Sequence, residues 1–340
     1  ESMNPDNRLS QLNTWLATLT SKWSIDLATL QPASSDASFR RYFRVLGHKN
    51  DSFIVMDAPP SHEDTRPFIH IAKLMAQGGL NVPLILEENV AEGFLLLSDL
   101  GNQTYLACLN EKTAPNLYKD AMSALVKMQL LGKDEAIPPY DRALLTRELM
   151  LFPEWYLSKH LGMTLTDSQT EDLNKVFELI LQNNLAQPQV LVHRDYHSRN
   201  LMLTSENNPG ILDFQDAVYG PITYDLASLL RDAYIEWEET EQLDWAIRYW
   251  EMARKAQLPV SNEFGEFYKD FEWMGLQRHL KVLGIFARLY HRDGKDAYLK
   301  DLPLVLKYTR KVAERYIGLK PLVRLLDAAE GINRPDGLTF

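Results

Sequence analysis

Residues 191–203 read LVHRDYHSRNLML and bring basic, acidic and amide side chains together in one polar stretch between two apolar runs. The runs QVLV and LMLT predict two short strands, so we expect the residues between them to form a loop that is held at both ends. Loops that a rigid scaffold positions in this way often carry catalytic residues. Because half-buried acids are costly unless something pairs with them, this loop either stabilises itself or binds a charged ligand.

A second acidic segment, ILDFQD at residues 211–216, supplies a possible partner for this loop. The turn SENNPG folds the chain back, so we expect Asp213 to lie beside Asn200. An amide carbonyl and a carboxylate suit Mg²⁺, which takes its remaining ligands from water and substrate phosphates. Asp195 is outside this pair and is free to accept a proton from a hydroxyl. Together these roles predict phosphoryl transfer.

Three nearby residues have more modest interpretations. The ring of His193 can fix the backbone of the loop, and we expect it to support the site rather than to react. Asp216 is either a further metal ligand or a solvated acid, and the sequence leaves both open. Asp225, in GPITYDLASLL, comes at the beginning of an apolar helical run, which predicts an N-cap or a clamp on the loop.

The composition of the 340-residue chain excludes several classes of protein. A formal net charge of -10 leaves no basic surplus for binding nucleic acid or anionic membranes. Cys108 is the lone cysteine, so an internal disulfide is excluded and a reducing compartment fits. The first residues lack a secretory signal pattern, and the apolar runs are shorter than the ~20 residues of a membrane span. We predict a cytoplasmic protein without nucleic-acid or membrane partners, and no particular oligomeric state.

Hydrophobic periodicity divides the chain into two parts. Up to about Gly101 it predicts an N-terminal helix, two β-hairpins and a helix between them. Beyond Gly101 it predicts helices, interrupted by the strands QVLV, LMLT and GILDF. This pattern is typical of an α+β fold with a small antiparallel-sheet lobe and a larger helical lobe. We predict an N-terminal lobe over residues 1–98, a hinge over 99–103 and a C-terminal lobe over 104–340.

The polar loop also matches a known motif. His193, Arg194, Asp195 and Asn200 follow the pattern H-R-D-x-x-x-x-N of kinase catalytic loops. With LLLSDLG before it and ILDFQD and GPITYDLASLL after it, the chain resembles the aminoglycoside phosphotransferase and choline kinase superfamily over nearly its whole length. The resemblance implies a protein-kinase-like two-lobe fold, ATP as phosphate donor and Mg²⁺ as cofactor.

This resemblance also implies roles for individual residues. Asp195 would be the catalytic base, and Asn200 and Asp213 would bind Mg²⁺. Asp225 would hold the catalytic loop. The backbone of the segment Ser98, Asp99 and Leu100 would contact the adenine.

A narrower resemblance concerns the acceptor. The segments PASSDASFRRYFRV, VMDAPP and QRHLKVLGIFARL are similar to bacterial cell-wall-recycling kinases, which phosphorylate the anomeric hydroxyl of N-acetylmuramate and N-acetylglucosamine. It implies a sugar 1-phosphate as product, formed in peptidoglycan recycling. Another acceptor, such as an aminoglycoside, choline or homoserine, and a nucleotide-binding pseudokinase without turnover are the alternatives.

The superfamily resemblance implies an acceptor site between the catalytic loop and the C-terminal helices, and the candidate residues lie on one predicted helix. Trp273, Gln277 and Lys281 follow i, i+4, i+8 spacing along one helix face, and Arg278 is adjacent. A Trp ring can support a sugar, and a cation can bind a lactyl carboxylate. A partly buried helix with snorkelling charges would give the same pattern.

The phosphate-binding part of the first lobe departs from the family pattern. The segment PASSDASFRR contains no glycine where a Gly-rich loop is expected, and SFIVMDAP has Met56 and Asp57 where a lysine is expected. Backbone, hydroxyl or guanidinium donors are therefore expected to contact the nucleotide, although a solvated strand face explains the arginines equally well. These candidate residues are Ser35, Ser38 and Arg44, with Arg40 and Arg41 as further possibilities.

Overall fold

Twelve α-helices and nine β-strands lie within residues 5–35 and 38–333, the part of the chain that the computed structural model describes. The helices are α1 (Pro5–Ala17), α2 (Thr20–Trp23), α3 (Arg66–Gln77), α4 (Tyr105–Cys108), α5 (Ala114–Gln129), α6 (Arg142–Leu149), α7 (Asp167–Leu185), α8 (Tyr224–Leu230), α9 (Glu239–Lys255), α10 (Phe264–His291), α11 (Leu302–Arg315) and α12 (Lys320–Glu330). The strands are β1 (Asp26–Ser35), β2 (Arg41–Leu46), β3 (Ser52–Asp57), β4 (Ile85–Asn89), β5 (Phe94–Ser98), β6 (Gln189–Val192), β7 (Leu201–Met202), β8 (Gly210–Ile211) and β9 (Val218–Pro221). A π-helical segment spans Phe152–His160, and short 3₁₀ turns span Leu299–Asp301 and Ile317–Leu319.

The described residues form two compact units. The first unit combines Glu1–Cys108 with Asn200–Asp216, and the second combines Leu109–Arg199 with Ala217–Phe340. These units divide the chain differently from the predicted lobes, because the segment after Arg199 groups with the N-terminal residues. The lobe boundaries at residues 98 and 103 stay a prediction.

The first unit is built on an antiparallel sheet of five strands in the order β1-β2-β3-β5-β4. Apolar residues of α1, including Leu12 and Leu16, pack with Val45, Val55 and Leu96 in one buried cluster. The predicted N-terminal helix and the helix between the hairpins are confirmed as α1 and α3. Both hairpins are confirmed as the antiparallel pairs β2–β3 and β4–β5. The strand β1 was not predicted, because its sequence DLATLQPASS lacks apolar alternation and contains a proline, as edge strands can.

The first unit also contains the small antiparallel ladder β7–β8. Leu203 N–H donates to Gln103 O at 2.8 Å, and Phe68 of α3 stacks on Phe214 with ring centroids 4.9 Å apart. The predicted strands LMLT and GILDF are shorter than expected. The strand QVLV pairs with β9, which was not predicted, so the two strands beside the polar loop belong to different sheets.

The second unit is mainly helical, and α10 lies inside it. Every residue of α10 from Phe271 to Gly284 is buried, as expected for a helix that neighbouring elements cover on all sides. A Cβ atom added at Gly284 would lie 2.3 Å from Leu151 O, so this glycine permits close backbone packing. The α+β fold class is confirmed. Within residues 5–35 and 38–333, the helices are too short or too polar to traverse a bilayer.

Candidate active site

Asp225 fixes the beginning of the catalytic loop. It lies buried in the first turn of α8, and its two carboxylate oxygens accept hydrogen bonds from His193 N at 2.7 Å and Arg194 N at 3.0 Å. Burial raises the pKa of Asp225, and the hydrogen bonds from the two N–H donors oppose that rise. This is the arrangement that a clamp on the loop requires.

Arg194 has a left-handed backbone, with φ at 84°. Such a conformation is costly for a residue with a Cβ atom and persists where surrounding contacts enforce it, often at active sites. Its guanidinium forms an ion pair with the buried Glu148 and lies over the Tyr140 ring, 5.3 Å from the centroid. Arg278 Nη1 donates to its carbonyl at 2.6 Å. The loop therefore has one defined conformation at this residue.

His193 contacts the loop itself. Its Nδ1 accepts a hydrogen bond from Asp195 N at 3.0 Å, which requires an unprotonated Nδ1. The ring is buried and meets the Tyr196 ring edge-on at 5.8 Å. These contacts agree with the supporting role expected for His193.

Asp195 presents its carboxylate at the surface of the second unit, with 41% of the side chain exposed. Arg278 Nη2 lies 3.6 Å from Asp195 Oδ1. Burial alone raises the pKa of the Asp195 carboxyl, but the cations Arg278 and Lys281 outweigh it and hold this pKa well below its usual range. Asp195 is therefore an ionised, weakly basic carboxylate.

The four residues predicted to bind the acceptor divide into two pairs. Arg278 and Lys281 are buried beside the catalytic loop, where Lys281 Nζ donates to Tyr224 Oη at 2.6 Å and lies 4.0 Å from Glu148 Oε1. Trp273 and Gln277 are also buried but have other neighbours. The Trp273 ring contacts Tyr316 and Lys269, and the Gln277 amide bonds to Leu145 O and Asn184. Of the two pairs, Arg278 and Lys281 are therefore the residues that lie near Asp195.

In the first unit, Asn200 and Asp213 lie side by side, as the turn between β7 and β8 predicted. Asn200 Nδ2 is 3.5 Å from Asp213 Oδ2, and Leu212 N donates to Asn200 O at 2.9 Å. Asp213 also has a left-handed backbone, with φ at 58°. Gln215 Nε2 donates to Asp213 Oδ1 at 2.5 Å. We call Asn200 and Asp213 the amide–carboxylate pair.

The amide–carboxylate pair fits a magnesium ion by its chemistry. Both side chains offer hard oxygen atoms, which Mg²⁺ prefers, and one carboxylate leaves room for water and phosphate ligands. In the described part of the chain, His, Cys, Asp and Glu form no group of three or more that could hold a metal. A magnesium ion at this pair would take its remaining ligands from water and phosphate. Asp216, the other candidate ligand, is exposed.

Arg40 is the arginine of its segment that lies next to Asp213. Its side chain is 10% exposed, and Nη2 lies 3.5 Å from Asp213 Oδ1. Arg41 instead bonds to Asp57, and Arg44 bonds to Asp99 and to Gly101 O. The charges of Arg41 and Arg44 are thus paired with carboxylates of the first unit.

Asp57 is one of the two residues, with Met56, that stand where the resemblance leads us to expect a strand lysine. It is fully buried and bonds to Arg8 of α1 as well as to Arg41. Arg8 Nε lies 3.0 Å from Asp57 Oδ1, and its guanidinium carbon is 4.3 Å from the Phe94 ring centroid. This position therefore attaches the N-terminal helix to the sheet.

The remaining predicted nucleotide contacts are at the ends of strands. Ser98 exchanges two hydrogen bonds with the backbone of Leu84. The Asp99 carboxylate accepts from Arg44, Ser52 and Gly101 N. Ser38 Oγ accepts from Arg40 N at 3.2 Å, and the Cδ1 atom of Leu100 lies close to Gly210. The side chain of Ser35 lies outside the described residues.

The profile of the phosphotransferase enzyme family matches residues 29–258, which is more than half of the chain. That range includes Asp195, Asn200 and Asp213. The chain belongs to the phosphotransferase enzyme family. The predicted enzyme class and the resemblance to aminoglycoside and choline kinases are confirmed.

Bacterial proteins resemble this phosphotransferase along nearly its whole length. An N-acetylmuramate/N-acetylglucosamine kinase of Pseudomonas putida is 48% identical over 328 residues, which cover 94% of this chain and 96% of the relative. A kinase of the same name from Neisseria meningitidis serogroup B is 48% identical and covers 98% and 99%. The crystal structure of the choline kinase LicA from Streptococcus pneumoniae has a TM-score of 0.59 at 13% identity, and the match covers 89% of this chain and 99% of that one. The last similarity concerns the fold alone.

Sequence reasoning missed two side chains around the candidate site of this phosphotransferase. Glu148 is 47 positions before Asp195 in the chain and is identified only by its contacts with Arg194, Tyr140 and Lys281. Gln215 lies inside the segment ILDFQD, where the two acids, and not the amide, match the pattern of a metal site. No spacing rule would have pointed to Glu148.

Proposed function

We propose that this protein transfers the γ-phosphate of ATP to the anomeric hydroxyl of N-acetylmuramate and N-acetylglucosamine, in peptidoglycan recycling. The observation that carries this proposal is the 48% identity, over 94–98% of the chain, to two kinases named for these sugars. A cytoplasmic location is part of the proposal, because ATP is the donor. The bound partners would be a nucleotide and an amino sugar.

In the proposed reaction Asp195 accepts the proton of the sugar hydroxyl. The sugar oxygen forms a bond to the γ-phosphorus, the bond between that phosphorus and the β–γ bridging oxygen breaks, and ADP leaves. A carboxylate with a depressed pKa is a weak base, but an anomeric hydroxyl is more acidic than an ordinary alcohol because the ring oxygen withdraws electrons. Phosphoryl transfer also depends more on position and charge than on a strong base.

The amide–carboxylate pair would hold Mg²⁺, with Asp216 as a further candidate ligand. When bound, the ion neutralises charge on the phosphates of the donor. We propose that Arg40 supplies the cation that a strand lysine supplies elsewhere in the family. Its guanidinium lies 3.5 Å from Asp213 Oδ1 and stays charged even where it is largely buried. Ser35, Ser38, Arg44 and residues 98–100 stay proposed nucleotide contacts.

The substitution Asp195→Asn tests this function. A general base contributes roughly 10²–10⁴-fold, so kcat on either sugar should fall by at least about 100-fold, with little change in ATP binding. Turnover is measured as ADP release with each sugar, and NMR identifies the phosphorylated position. Asp244→Asn, at an exposed carboxylate of α9, is the control and should keep full activity.

Two outcomes would contradict the proposal. Wild-type turnover with choline or an aminoglycoside but with neither amino sugar would reject the acceptor. Turnover near the wild-type rate in Asp195→Asn would reject the base. An acid-labile product supports the anomeric position, since a phosphate ester at another hydroxyl is stable to acid.

A further inference from the structure

Arg199, the residue before Asn200, contacts two aromatic rings that the H-R-D-x-x-x-x-N motif does not explain. Its side chain is exposed on the second unit. The guanidinium carbon lies 4.4 Å from the centroid of the Tyr234 ring and 5.3 Å from that of Tyr298. Two aromatic rings therefore hold one exposed cation.

Arg199 is also fixed relative to the catalytic loop. The buried carboxylate of Asp232 accepts from Ser198 N at 2.9 Å and from Tyr234 N at 2.8 Å, so one side chain connects the loop to the segment that carries Tyr234. Arg199 N itself donates to His197 Nδ1 at 3.3 Å. The cation thus has a defined position four residues after Asp195 in the chain.

The charge of Arg199 differs from the other charges near the loop. Arg194 is paired with Glu148, and Arg278 lies against Asp195. Among the described residues of the second unit, no carboxylate forms an ion pair with Arg199, whose neighbours are phenols. A guanidinium stacked on aromatic rings keeps its positive charge and presents planar N–H donors that match a carboxylate.

We propose that Arg199 binds the carboxylate of an acidic acceptor sugar, with the rings of Tyr234 and Tyr298 as its support, and so sets the preference between the two sugars. N-acetylmuramate differs from N-acetylglucosamine by a lactyl group that carries one carboxylate. The inference rests on the proposed function. It assigns the recognition of that carboxylate to Arg199 rather than to Arg278 or Lys281, whose donors are engaged inside the protein.

The test compares Arg199→Ala with the wild-type enzyme on both sugars. We expect kcat/KM for N-acetylmuramate to fall about 10- to 100-fold, which is the size of a charge-assisted hydrogen bond, while kcat/KM for N-acetylglucosamine stays within about twofold. The KM for ATP should not change. Arg199→Lys should recover part of the loss, because it keeps the charge without the planar fork.

Arg248→Ala, which removes an exposed arginine elsewhere in the second unit, is the matched control and should leave both sugars unaffected. Equal losses on the two sugars, or a raised KM for ATP, would assign Arg199 to the phosphates and overturn the inference. Unchanged kinetics on both sugars would overturn it as well. If the wild-type enzyme phosphorylates neither sugar, both the proposed function and this inference fail. If the wild-type enzyme phosphorylates both sugars and only the results for Arg199→Ala disagree, the inference alone fails.

Discussion

At the residue scale, the candidate base is defined by the cations around it. Arg278 contacts both the Asp195 carboxylate and the carbonyl of Arg194, so it acts on the charge and on the position of the base. It is a positioning residue in our proposal, because it contacts the loop rather than a substrate. Its effect on charge can be measured separately from its effect on structure.

The substitution Arg278→Met should move the acid limb of the kcat/KM profile to higher pH. Removing a cation 3.6 Å from Asp195 raises the pKa of that carboxyl, so it becomes protonated, and inactive as a base, at a higher pH than in the wild-type enzyme. The profile is measured with N-acetylglucosamine from about pH 4 to pH 9. Arg278→Lys should keep the limb near its original position. A loss of equal size at every pH in Arg278→Met would indicate a purely structural role.

The sequence predicted residues that short spacings connect and missed those that only the fold connects. Asp213 beside Asn200 followed from a turn between two strands. The pair Glu148–Arg194 joins positions 46 residues apart, and the pair Arg8–Asp57 joins positions 49 residues apart. No local pattern encodes such contacts. Buried ion pairs of this kind require a three-dimensional arrangement of several elements before they can be recognised.

At the element scale, apolar alternation predicted the paired strands well. Both N-terminal hairpins have one well-buried strand, whereas β1 is polar, and β9 has the short sequence VYGP that resembles a turn. For α10 the i, i+4, i+8 spacing indicated one candidate acceptor face, but residues on all sides of the helix are buried from Phe271 to Gly284. Polar residues of this helix are buried because other elements supply their partners. Glu272 pairs with Arg231 of α8's C-terminal end, and Arg278 donates to the loop carbonyl of Arg194. Periodicity cannot reveal such contacts.

Two glycines of α10 give a matched test of its packing. Gly284→Ala should destabilise the protein by about 1–3 kcal/mol, because the new Cβ would meet the Leu151 backbone, which cannot move as a side chain can. At Gly275 the nearest atom to a new Cβ is 3.7 Å away, so Gly275→Ala should stabilise by about 0.5–1 kcal/mol. Thermal unfolding of the two variants measures both effects. Similar midpoints for the two would contradict this account of the helix.

At the scale of the whole molecule, the chain passes between its two units inside the catalytic motif. Arg199 ends one stretch of the second unit and Asn200 begins the returning stretch of the first. The proposed base and the proposed metal ligands are therefore contributed by different units, although only five positions separate Asp195 from Asn200. A sequence motif shows their spacing but not this division.

Binding of ATP with Mg²⁺ should stabilise the whole chain. A ligand at 100 times its Kd adds about 2.7 kcal/mol, which corresponds to a rise in Tm of roughly 3–5 °C for a protein of this size. Asp195→Asn should keep this rise, because the base is not required for binding. Asp213→Asn, or ATP with a chelator, should lose most of it. A full rise in Asp213→Asn would remove Asp213 from the proposed metal site.

The buried Asp57 has a practical consequence for shortened versions of this protein. Its carboxylate lies in the middle strand of the sheet, and one of its two arginines comes from the first helix. A version that starts after Arg8 would leave Arg41 as the sole guanidinium on an interior negative charge. Trimming designs for crystallisation or for biosensors should therefore preserve the first helix, even though the proposed chemistry is carried by residues almost two hundred positions later.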